Sequence, residues 1–156
     1  MSSSICVADE MLKIAKEKGK TLTPLQLMKL VYVSHGWALA MLGQGLFEDR
    51  IEAWKYGPVI PELYQAIKAY GRDPIPLGNI QSDSNNKVPE HIKSFLRSVY
   101  KSYGHLSGID LSNLTHLPGT PWEKVYEQGT RNAQIYDEAI MQHYRILLRR
   151  SQNKAA

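Results

Sequence analysis

At 156 residues, with 43% hydrophobic and 22% charged side chains, the chain has the length of one domain and a balance that excludes intrinsic disorder. No run of about 18 uncharged apolar residues occurs, which excludes a transmembrane helix, and Asp9 and Glu10 interrupt the apolar stretch that a signal peptide needs. The single cysteine, Cys6, excludes an internal disulfide and a cysteine zinc cage, and 19 basic against 15 acidic residues give a net charge of +4 that permits nucleic-acid binding without arguing for it.

In chain order, Ile5, Ala8, Leu12 and Ala15 recur at helical spacing, which predicts a first helix over 4–18 stopped at Gly19. Thr23 is an N-cap and Pro24 a first helical residue, so a second helix opens there. Leu27, Met28, Val31, Tyr32, Ala38, Leu39 and Leu42 make a broad apolar face, and Leu30, Val33 and Met41 extend the apolar character around the cylinder. Such a helix is central and covered on several sides. Gly36 inside it costs about 1 kcal/mol against alanine, and close approach of another backbone is the expected reason. Gly43 and Gly45 end the helix, and Arg50 to Tyr56 read as extended.

Gly57-Pro58 signals a turn, and Pro61 starts a third helix with Glu62 in its first turn. Residues 72–89 hold three prolines and a polar run, a loop beyond the roughly 12–15 residues common in compact domains. Ile92, Phe95, Leu96, Val99, Tyr100 and Tyr103 then give the cleanest helical periodicity in the chain. A short helix is expected at LSGIDLSNLTH, a turn at PGTPW, and a last helix over 136–150 with Ile140, Tyr144, Leu147 and Leu148 inward. The expectation is a mainly α, single compact domain over 1–156. It has five to seven helices, at most a short strand or hairpin around 46–57, and a disordered tail at 151–156.

No nucleotide-binding glycine loop, G-x-S-x-G or H-E-x-x-H is present. No histidine pairs with another His, Cys or carboxylate at the i, i+4 spacing of a helical metal site, so no metal or cofactor is expected. His35 reads as a polar side chain satisfied by a backbone carbonyl. His116 precedes the turn that fixes Trp122 and reads as structural. Direct DNA binding is not expected, because the second helix is too apolar to read bases, with Lys29 its only cation. Arg145, Arg149 and Arg150 read either as complements to a helix C-terminus or as contacts for an acidic partner.

Phe47, Trp54, Tyr56 and Tyr64 gather large rings around a passage stiffened by Pro58 and Pro61. A surface there would lose little entropy on docking, and Trp and Tyr are enriched among residues that carry binding energy. The other reading is a rigid brace between the second and third helices. Both stand on these residues alone.

The run from Lys29 to Gly71 resembles the signature of the Panacea domain, the antitoxin domain of SocA-like and phage-associated GepA-type proteins. Its most specific part is Glu52-Ala53-Trp54-Lys55-Tyr56-Gly57-Pro58-Val59 with Pro61-Glu62-Leu63-Tyr64. The Ser-Asn-Leu-Thr-His run and Thr120-Pro121-Trp122 extend the resemblance over about residues 9–148. Val33-Ser34-His35 stands where a Tyr-Ala-Gln-like form is commoner. The resemblance implies a non-enzymatic, cytoplasmic helical antitoxin that binds a protein toxin encoded by a neighbouring gene. The alternative it implies is a proteolytic adaptor delivering a client to a ClpXP-type protease, or a phage-derived interaction module. The candidate partner-binding or signature-structural residues are Trp54, Tyr56, Gly57, Pro58, Val59, Pro61, Glu62 and Tyr64, with His116 and Trp122 secondary. An enzyme using His116 or Cys6 is the remaining reading.

Overall fold

The computed structural model describes residues 2–78, 80, 87–127 and 133–155. Helix α1 covers Ser4–Glu17, and α2 covers Pro24–Leu42. Both begin where local chemistry satisfies the orphan amides of a helix N-terminus. The Ser3 side chain accepts from the Cys6 amide at 3.1 Å. Thr23 and Gln26 form a reciprocal capping box, with Pro24 in the first turn. Gly43, with φ at +78°, ends α2 in a left-handed turn that a side chain would strain.

Every residue of α2 from Leu27 to Gly36 is buried. Ten consecutive residues exceed any single helical face, so the helix is enclosed on all sides. Its neighbours are α1, α3 (Pro61–Ile67), α4 (Glu90–Tyr103), α5 (Gly108–Thr115), α7 (Asp137–Ala155) and strand β2 (Gly57–Val59). The short α6 (Pro121–Val125) instead touches α7 and strand β1 (Glu52–Trp54). Seven helices and one hairpin are thus present among the described residues, a mainly α fold. The two strands pair antiparallel, Glu52 with Val59 and Trp54 with Gly57, around a Lys55-Tyr56 turn. The outer edge of β1 is covered by a passage of residues 133–135. The Ala53 amide donates to Ala133 at 2.9 Å, and the Ile135 amide donates to Ile51 at 2.8 Å. A covered edge offers no open row of backbone groups.

Two details depart from the sequence reading. Helix α7 continues through residues 151–155, where a disordered tail is expected, and Ala156 lies outside the described residues. Within 72–89, where a loop is expected, residues 79 and 81–86 lie outside the described residues, Ile75, Ile80 and Val88 are buried, and the Ile75 amide donates to Leu22 at 2.9 Å. Leu147 and Leu148 are half-buried, whereas Ile140 and Tyr144 reach the core.

The reason for Gly36 also differs. The group that approaches it is the Tyr144 ring of α7, which an added Cβ would overlap. Close helix contact therefore rests on an aromatic edge seated over a missing side chain. Gly36→Ala is expected to destabilise the fold by about 1 kcal/mol or more, because overpacking outweighs the gain in helix propensity. A lower urea midpoint at unchanged m value would show it.

Candidate protein-interaction surface

The signature hairpin is held from behind by side chains from three helices. Carbonyls at alternate residues each receive one donor. Trp122 Nε1 donates to the Trp54 carbonyl at 2.5 Å. Ser112 Oγ donates to the Tyr56 carbonyl at 2.6 Å. Lys29 Nζ donates to the Pro58 carbonyl at 2.7 Å. Two residues further on, the Ile60 amide points to Met28 Sδ at 3.4 Å. A segment so short, with three carbonyls and one amide taken by distant side chains, has little freedom left.

Lys29 is the central element. It is 1% exposed, and its amine donates to a carbonyl rather than a carboxylate. Burial pulls the amine down to about 7 from its ordinary 10.5. Gly57 makes room for it. The backbone there has φ of +117°, and a Cβ would stand 3.0 Å from Lys29 Nζ and 3.3 Å from Thr115 Oγ1. The sequence marks Lys29 only as the one cation in an apolar helix. That pattern was the available signal, a charge with no polar face to occupy.

The eight signature residues divide by position. Gly57 and Pro58 are buried against α2, and Val59 and Pro61 are half-buried. Tyr56 is 67% exposed at the turn, with Lys55 Nζ 5.5 Å from its ring centroid. Trp54 and Tyr64 are half-buried and pack edge to face at 4.9 Å. Trp54 Nε1 donates to Glu52 at 2.9 Å, and Arg50 Nε reaches the other oxygen of that carboxylate at 2.8 Å. Glu62 is exposed beside Asp49. A hydrogen bond to Asp49, and then its charge, raise the Glu62 carboxyl above the ordinary range. Asp49 also receives the Ser4 amide at 3.2 Å and the Ser4 hydroxyl, which ties this corner to the start of α1. The outer surface therefore carries three rings and a carboxyl pair on a braced backbone.

Of the secondary candidates, Trp122 joins this assembly through Trp54. Its ring stacks on Tyr126 at 4.5 Å and lies 5.2 Å from His116. His116 Nδ1 is buried without a hydrogen-bond partner among the described residues. His35 lies elsewhere and corrects the sequence reading. Its Nδ1 accepts from the Leu46 amide at 3.1 Å, so Nε2 carries the proton and donates to Asp137 at 2.8 Å. The ring stacks on Phe47 at 4.1 Å, clamping the chain after α2 to the start of α7. Among the described residues no three His, Cys, Asp or Glu side chains gather to hold a metal ion. No helix described is long and apolar enough to cross a membrane.

The sequence model of the family described as "Antitoxin SocA-like, Panacea domain" matches residues 27–123, from the core of α2 to α6. The chain belongs to this family. It is also similar to Antitoxin SocA of Caulobacter vibrioides (strain NA1000 / CB15N), at 28% identity over 152 residues, covering 90% of this chain and 81% of that protein. No solved structure matches. The family match contains Lys29, the hairpin, Ser112 and Trp122, so the whole bracing assembly lies inside the shared region. For this family member the similarity supports an antitoxin role in a toxin–antitoxin system.

The depressed Lys29 amine has a thermodynamic consequence. Between about pH 7 and the unfolded value, the unfolded chain holds a proton that the folded chain has released. Folding stability attributable to this group therefore rises with pH across that window, by about 1 kcal/mol per pH unit. Below it, both states hold the proton and the contribution is level. The difference in unfolding free energy between the natural chain and Lys29→Met, measured from pH 6 to 9 by urea titration, is expected to show this slope. A difference that stays flat with pH would contradict it.

Proposed function

We propose that this chain is a non-catalytic antitoxin that neutralises a protein toxin by direct binding, and that the contact is made by Trp54, Tyr56, Glu62 and Tyr64. The observation that carries this reading is the division of the signature. Its backbone is gripped by Lys29, Ser112 and Trp122, while its rings stand at the surface. A brace alone has no use for a tyrosine 67% exposed at its tip. A binding surface does, because a rigid aromatic group loses little entropy when a partner covers it. An interface of standard size buries about 1,600 Å² in total, and a few central aromatics dominate its energy. Similarity to Antitoxin SocA supplies the class of partner, a toxin.

Tyr56→Ala tests the contact without disturbing the brace, since Ser112 bonds the backbone carbonyl of residue 56 and not its ring. Co-expression with the product of the neighbouring gene is expected to restore growth for the natural chain. Tyr56→Ala is expected to keep its melting temperature and to weaken toxin binding by about tenfold or more, equivalent to about 1.4 kcal/mol. Unchanged affinity would remove this surface from the contact. A neighbour that is harmless alone, or equally toxic beside this chain, would remove the antitoxin reading. A toxin half-life that shortens in the presence of the chain would favour delivery to a protease over simple occlusion.

A further inference from the structure

An open cavity of about 830 Å³ lies between α4, α7 and the passage 114–121 that begins in α5. Helix α4 lines it with Phe95, Ser98, Val99 and Ser102. Helix α7 lines it with Tyr144, Leu147, Leu148 and Ser151. Both sets fall at i, i+3, i+4 and i+7. Each wall is therefore a single helical stripe, two turns or about 10 Å long. A slot between two such stripes, floored by a third helix, has the shape that receives another helix. Met41 and Leu117 line it while remaining 56% and 52% exposed, so apolar surface lies open to water there.

One further observation, the charge of the rim, says what would fill it. The α7 flank is basic. After Glu138, α7 carries Arg145, Arg149, Arg150 and Lys154 and no acid, and Arg150 lines the cavity itself. Burial, Lys124 and Arg150 all lower the pKa of His143, another lining residue.

We propose that this groove docks an acidic amphipathic helix of the protein partner, with its apolar face between α4 and α7 and its carboxylates toward Arg150. The inference rests on the reading of this chain as a toxin-binding protein, and it adds a second contact beyond the hairpin. It also gives the arginine-rich end of the last helix a use beyond complementing its own dipole.

The probe is a fluorescein-labelled synthetic peptide about 18 residues long, enough to be helical, with Leu on one face and Glu on its flanks. A twin carries Lys for every Glu. Fluorescence anisotropy with the full chain is expected to show the acidic peptide binding at least about tenfold tighter than its twin. Ser102→Trp fills the groove without removing a core side chain, and Arg150→Glu reverses its rim charge. Each is expected to weaken the acidic peptide about tenfold. Equal binding of both peptides, or binding that survives both substitutions, overturns the proposal. A dimer that Ser102→Trp dissociates, seen by light scattering, would give the groove to a second copy and overturns it too. In a complex with the neighbouring gene's product, amide exchange is expected to slow over 95–102 and 144–151. A complex without that protection overturns the docking and leaves toxin binding standing. Failure to form any complex overturns toxin binding itself, and the peptide then decides the groove alone.

Discussion

The amine of Lys29 reaches from the middle of an enclosed helix to the Pro58 carbonyl, and the placement of the hairpin depends on that reach. A lysine stem is apolar for four carbons, so it crosses the core at little cost. Its head group cannot stay charged there cheaply, and burial pulls the amine down to about 7. It serves there as a hydrogen-bond donor at the end of a long lever. Gly57 leaves the space, and Ser112 and Trp122 fix the carbonyls on the same stretch. The signature is thus a turn with three alternate carbonyls held by distant side chains.

Helix α2 is the element on which both surfaces are built. Lys29 serves the hairpin, and Tyr32, one turn later, lines the groove. Thr115 of α5 joins the two, since its hydroxyl stands close to Gly57 while its side chain also lines the groove. Changes at either surface are therefore felt through the same few residues. The burial of α2 along Leu27–Gly36 explains why so much of that helix is apolar, and no helix described is long and apolar enough to cross a membrane.

Much of the fold is legible in the residues. Thr23-Pro24 and Gln26 announce the start of α2, and the run from Ile92 to Tyr103 announces α4, because caps and periodicity act within a few residues. The hairpin is legible as extended chain followed by a Gly-Pro turn. His35 was less legible. A backbone carbonyl was the expected partner, whereas the structure supplies the Leu46 amide and Asp137, 102 positions away. The end of α7 was also misjudged, because a polar C-terminal stretch reads as tail whether or not a helix carries it outward.

The sequence alone determined the mainly helical class, the limits of most helices, and the signature that places the chain among SocA-like antitoxins. These follow from interactions between near neighbours and from residue strings that survive without any contact map. The tertiary structure decided which signature residues brace and which face outward, what Lys29 bonds, and that α4 and α7 leave a groove. The partners concerned lie 29, 56 and 68 positions apart for Pro58, Tyr56 and Trp54. No local pattern encodes such pairings, because they arise only when separate helices close on one core.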